Sequence, residues 1–276
     1  MNKIINNTHE GAIKAVELSD WLISRGISSL STKEIAHLLG IPENQVSQRM
    51  ASLKKRGVMA TPARGLWIPI PPEYRAWGAP EPAAYLEDMM RFFDAKYCVG
   101  WLSAAALHGA SHHAAQVFQI ATSKHIRDRE LGRSELQFFQ RGYLDTVGIT
   151  SRSLPRGRMQ MASVATTLLM ICDDVEICGG IDNVANIVIE LAEETEDIDA
   201  VIEEICCSAR AFPVAASRRL GWLLENFTDC SEQDKLATLC KNRNGSLSVL
   251  SSQSQRGGAI SKRWHLEINR EVVPDI

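Results

Sequence analysis

Asn44, Gln45, Ser47, Gln48 and Arg49 bring into one short stretch the side chains that read base edges. Asn and Gln can bond adenine bidentately, and Arg can do the same to guanine. Lys54, Lys55 and Arg56 follow as a run of cations suited to phosphate oxygens, which add affinity without reading sequence. Arg64, beside Gly65, is a further cation placed for backbone or minor groove. With Ser31 and Thr32 upstream, these residues form the candidate set for contact with double-stranded DNA.

Such residues need elements that hold them on one face. Ser31 followed by Glu34 has the spacing of a capping box, so a helix should begin after Ser31. Ile35, Leu38 and Leu39 then share a face, and Gly40 supplies the stop. Pro42 is expected just inside a second helix that runs through Arg56. Val46, Met50 and Leu53 recur at helical spacing and should turn inward, leaving Asn44–Arg49 outside. After Gly57 an alternating hairpin turns around Pro62-Ala63-Arg64-Gly65. Two helices, a Gly-Ile-Pro turn and a hairpin predict a winged helix-turn-helix, whose second helix enters the major groove. The plainer reading of Lys54–Arg56 is a solvated helix end, but capping, turn, polar face and hairpin all agree on the sharper one.

The chain has 276 residues, 45% hydrophobic and 23% charged, enough for two domains with cores of their own. No apolar run approaches a bilayer span, and residues 1–7 lack the h-region of a signal peptide, so a cytoplasmic protein without membrane contact is expected. Seven cysteines, with no C-x-x-C pair, suit reduced thiols. Residues 1–70 carry nine Lys/Arg against five Asp/Glu, whereas the remainder carries 21 against 28. A basic head on an acidic body fits a DNA-binding module joined to a partner-binding or regulatory remainder.

Residues 8–26 predict a first helix, with Ile13, Val16, Leu18, Trp21, Leu22 and Ile23 on its apolar side. The prolines 71, 72, 80 and 82 mark a boundary, dividing the chain into residues 1–78 and 79–276. In the second part, helices are expected at 82–94 (burying Tyr85, Met89, Phe92 and Phe93), 97–108, 163–172, 181–192, 201–208 and 210–227. Strands are expected at 117–122, 136–139 and 147–150. The serine- and glycine-rich stretch from Leu247 to Gly258 is read as a loose or extended segment, with Trp264–Ile268 returning as an edge strand, and the role of the tail from 228 is left open. The fold class is therefore α+β: a winged helix-turn-helix followed by a larger mixed α/β domain.

Other residues invite catalytic readings that weaken on inspection. His108 and His112 would share a helical face, with His113 adjacent, but Gly109 ends that helix and no further ligand accompanies them. Asp128-Arg129-Glu130 and Asp173-Asp174-Val175-Glu176 lack the apolar strand-end setting of metal-holding carboxylates. Phosphate-binding glycine loops, G-x-S-x-G and E-x-K are all absent. No catalytic residue, metal or cofactor is assigned. Twelve Asp/Glu fall between Asp173 and Glu204, either as solvated faces or as a surface for a basic partner. Arg152, Arg156, Arg158, Arg210, Arg218, Arg219, Lys241, Arg243, Arg256, Lys262 and Arg263 supply cations whose convergence the sequence leaves open.

Tyr97-Cys-Val-Gly-Trp-Leu-Ser-Ala-Ala-Ala-Leu-His-Gly-Ala110, followed by Gln116–Ser123, resembles the AbiEi-family antitoxins of type IV toxin–antitoxin systems. Ala165–Met170, Cys178–Ala185 and Arg218–Gly221 extend the resemblance to about residue 225. It implies an antitoxin-type second domain behind a winged helix, and a protein that binds inverted repeats in its own promoter. It further implies neutralisation of a cognate nucleotidyltransferase-like toxin. Ser103, His108 and Gly109 match the pattern and are given structural roles: Ser103 capping or bonding within its helix, Gly109 at positive φ after it. Two other readings remain: a ligand-sensing winged-helix regulator with no toxin partner, and a metal-dependent enzyme with a DNA-targeting domain.

Overall fold

The computed structural model describes residues 13–110, 117–154, 157–243 and 245–274. The chain starts with a 3-10 turn leading into α1 (Leu18–Ser24), closed by Gly26 at φ 64°. A short strand β1 (Leu30–Ser31) precedes α2 (Thr32–Leu39) and α3 (Glu43–Lys55). The hairpin β2 (Met59–Ala63) and β3 (Leu66–Pro69) closes a three-stranded sheet in the order β1-β3-β2. Leu18, Leu22, Ile35, Leu38, Val46, Met50 and Leu53 pack into one buried cluster beneath it. Full burial of each such side chain favours folding by about 1.5–3 kcal/mol, so the helical spacing decides which face turns inward. Val16 departs from the expected apolar side: it lies in the 3-10 turn and is exposed.

The hairpin buries both faces. Met59 and Trp67 join the helical cluster, while Ala60, Leu66 and Ile68 point the other way, as strand alternation requires. That second face meets Tyr85 together with Leu86, Met89 and Met90 of α4 (Leu86–Phe92). One hydrophobic cluster thus runs from residues 60–70 into the following segment.

Beyond it stands a mixed six-stranded sheet, ordered β6-β7-β5-β4-β9-β8. Its strands are β4 (Tyr97–Val99), β5 (Val117–Thr122), β6 (Arg129–Leu131), β7 (Ser134–Gln140), β8 (Ile149–Leu154) and β9 (Gly157–Ala162). Tyr97, Val99, Ile120, Leu136 and Met161 face the hairpin side, whereas Cys98, Ala121 and Ala162 face a helical layer. That layer contains α5 (Trp101–Leu107), α6 (Val164–Asp173), α7 (Ile181–Glu194), α8 (Ile198–Ser208) and α9 (Val214–Phe227).

Three expectations change. Residues 97–108 are not one helix: Tyr97–Val99 form an inner strand, and Trp101 then opens α5 at φ 48°. Residues 82–94 divide into a 3-10 turn and α4, and Phe92 is exposed rather than buried. The tail from 228, whose role the sequence leaves open, carries α10 (Gln233–Asn242) and a small sheet of β10 (Ser248–Val249), β11 (Ala259–Ser261) and β12 (Leu266–Ile268), and residues 250–258 are loop. Within it β12 is the centre, not an edge, because β10 pairs parallel on one side and β11 antiparallel on the other.

Candidate nucleic-acid interface

Ser31 closes both halves of its capping box. Its Oγ accepts from Glu34 N at 3.2 Å, and its own N–H donates to Glu34 Oε2 at 2.8 Å. Gly40 takes the left-handed conformation at φ 62°, which a side chain would disfavour, and the chain turns into α3. Pro42 lies one position earlier than expected. It is the N-cap, with extended ψ of 144°, and Glu43 is the first helical residue. A carboxylate in that first turn complements the helix dipole.

On α3, Val46, Met50 and Leu53 are buried while Asn44, Gln45, Ser47, Gln48 and Arg49 are exposed. The five base-reading candidates therefore share the outer surface of the N-terminal half of one helix. Lys54, Lys55 and Arg56 are also exposed at its end. Lys54 Nζ donates to Thr61 Oγ1 of β2 at 3.1 Å, linking helix end to hairpin. Arg49, Lys55, Arg56 and Arg64 have no ion pair or side-chain hydrogen bond among the described residues, so their donors face solvent.

Arg64 sits with Gly65 in the two-residue turn between Ala63 and Leu66, exposed at the tip. The turn beneath it is braced. Thr32 N donates to Gly65 O at 2.8 Å, and Trp67 Nε1 donates to Thr32 Oγ1 at 3.2 Å. Ser31 and Thr32 are thus half-buried and engaged in holding α2 and the hairpin together, apart from the exposed set.

Sequence reasoning missed the braces that fix this unit to the following segment. Asp88 on α4 accepts from Ser28 Oγ and, at 3.0 Å, from Ser29 Oγ. Arg129 Nη1 donates to Pro62 O at 3.1 Å, and its guanidinium lies 5.1 Å from the Phe93 ring centroid. These partners are tens of residues apart in sequence, and no local pattern announces them.

The remaining chemical candidates are engaged internally. His108 Nε2 donates to Ala162 O at 2.8 Å, and burial lowers the imidazole pKa, favouring the neutral ring. His112 and His113 lie outside the described residues, as does Arg156. Ser103 bonds across to β5 rather than within its helix: it accepts from Gln119 N at 2.9 Å and donates to Val117 O. Gly109 has the expected positive φ, 101°. Asp128 accepts from Phe138 N at 2.8 Å. Asp174 accepts from Trp101 Nε1 at 2.9 Å and from Arg141 Nη2 at 2.8 Å. Burial, aided by the charge of Asp174, pushes the neighbouring Asp173 carboxyl up to about 6. Among the described residues no group of three or more His, Cys, Asp or Glu could hold a metal ion. Nor is any helix there long and apolar enough to cross a membrane.

Residues 98–226 match the family described as AbiEi antitoxin C-terminal domain. No curated protein matches the chain. Among solved structures, the RV2827C protein from Mycobacterium tuberculosis is similar, with a TM-score of 0.65 at 15% identity, covering 91% of this chain and 90% of that one. At that identity the likeness concerns the fold. Residues 98–226, just under half of the chain, are thus similar to the AbiEi antitoxin C-terminal domain.

Proposed function

We propose that this chain is a non-enzymatic, DNA-binding antitoxin that represses its own operon and neutralises a nucleotidyltransferase-like toxin encoded beside it. In this reading residues 1–78 are a winged helix-turn-helix and residues 79–276 the antitoxin domain. The observation that carries it is the outer face of α3, where Asn44, Gln45, Ser47, Gln48 and Arg49 are exposed beside Lys55 and Arg56, which have no partner among the described residues. In this placement α3 enters the major groove, Lys54, Lys55 and Arg56 meet phosphates, and Arg64 reaches the flanking backbone. Ser31 and Thr32 act through the position they give α2. The antitoxin match over residues 98–226 supports a protein partner for the second part.

The test is a footprint of the full chain on the promoter of its operon. Protection of inverted half-sites about one helical turn apart is expected. Equal binding to promoter and scrambled duplexes contradicts the repressor reading, and failure to protect cells from the neighbouring gene's product contradicts the antitoxin pairing.

A further inference from the structure

The tail encloses a cleft of about 920 Å³ with α9, lined by Arg218, Lys241, Arg243, Lys262, Arg263 and His265 among others. This volume falls within the roughly 300–1,000 Å³ of small-molecule sites. Only Arg218 belongs to the segment that matches the antitoxin domain; the rest lies beyond it.

The charges in this cleft are poorly compensated. Arg218 is 2% exposed, yet it has no ion pair among the described residues. Its Nη1 donates to Ser246 O at 2.6 Å and to Ser248 Oγ at 3.0 Å, while its buried Nε finds no acceptor. Arg243 spends its two terminal nitrogens on carbonyls, Ala209 O and Phe212 O, each at 2.7 Å. Burial lowers the Arg218 pKa, and the neighbouring positive charge of Arg243 lowers it further. Asp234 is the single carboxylate of the lining, and Arg263 holds it at 2.6 Å while also pairing with Glu225. Lys241 and Lys262 are exposed and without ion pairs among the described residues. A buried cation without a counter-charge, backed by further cations at the cleft surface, favours an anion from outside.

We propose that this cleft binds a phosphate-bearing small molecule, with Lys241 and Lys262 contacting the phosphates and Arg218 and Arg243 supplying charge from behind. Guanidinium and ammonium groups in such number suit a polyvalent oxyanion. Trp264, the one aromatic of the lining apart from His265, is fully buried, so the cleft offers no indole face on which a nucleobase could stack. The site therefore reads phosphate groups and is not a track for single-stranded nucleic acid.

Calorimetry of the full chain with sodium pyrophosphate and with ADP, at constant ionic strength, tests this. Saturable one-site binding is expected, weakened by about tenfold or more in the Lys241→Gln/Lys262→Gln double variant. Both positions are exposed, so an unchanged melting temperature is expected as a control on folding. A tighter ADP complex identifies the source as a phosphate ester, and a tighter pyrophosphate complex as the free anion. Absence of saturable heat, or equal binding by the double variant, overturns the proposal. So does a double variant that loses duplex DNA affinity while pyrophosphate gives no saturable heat, since the cations would then serve nucleic acid.

Discussion

On α3 and at its end, Arg49, Lys55 and Arg56 reach solvent with no partner among the described residues, whereas several arginines between residues 98 and 226 are tied inward. Arg141 is held by Asp174, Arg218 by Ser246 and Ser248, and Arg219 by the carbonyls of Cys172 and Val249. The contrast teaches that residue type alone does not mark an interface. A cation whose donors are satisfied internally stabilises the fold, and one left to solvent is available to a partner.

Substitutions can break this contrast, beginning with the inward-tied network. Asp174→Ala leaves Trp101 Nε1 and Arg141 without their shared acceptor. It should cost about 1.5–3 kcal/mol in denaturant unfolding, the usual range for hydrogen bonds to charged groups. A loss below about 0.5 kcal/mol would place Asp174 with the dispensable surface charges.

Asp173 gives a pH signature of similar or smaller size. Its carboxyl lies up at about 6 in the fold, against roughly 3.9 in an unfolded chain. Below about pH 4 both states hold the proton. As pH rises to about 6 the unfolded chain ionises first, so folding stability falls across that window. Asp173→Asn should therefore gain on wild type from pH 4 to 6, by up to about 2–3 kcal/mol, and then level off. Parallel stability curves for the two proteins would remove burial of this carboxyl from the account.

The outward-facing residues should leave stability nearly unchanged and act on DNA instead. Arg49→Ala is expected to cost about 1–3 kcal/mol at one base position and to relax preference there. Equal losses on promoter and random duplexes would reassign it to the backbone. Lys55→Ala should weaken binding to all duplexes alike and reduce the salt slope by about one. An unchanged slope would take it off the phosphates.

How much of this was legible depended on how local the causes are. The capping box at Ser31, the stop at Gly40 and the inward face of α3 follow from residues within one or two turns, and the structure has each of them. Pro42 shifted by one position because its extended ψ places it just before the helix rather than inside it. The strand Tyr97–Val99 was hidden because it runs directly into α5, with the change of direction at Gly100 and Trp101. At Gly100 an added Cβ would meet the end of the Met170 side chain, which comes from a distant helix. In the tail, Leu266–Ile268 was readable as a strand but not as a central one, because its place is set by pairing with β10 and β11 on either side. For the candidate interface, the exposed face was readable from periodicity. The braces through Asp88 and Arg129 were not, since they depend on tertiary pairing.

The central claim is that the exposed cations of the first region serve DNA while the second region neutralises a toxin. It is tested most directly by an Arg49→Ala/Lys55→Ala/Arg64→Ala variant expressed with the neighbouring gene and a promoter reporter. Promoter activity and growth are read in the same cells. The account predicts that repression is lost while growth protection persists. Retained repression, or loss of both with the protein still folded, would contradict it.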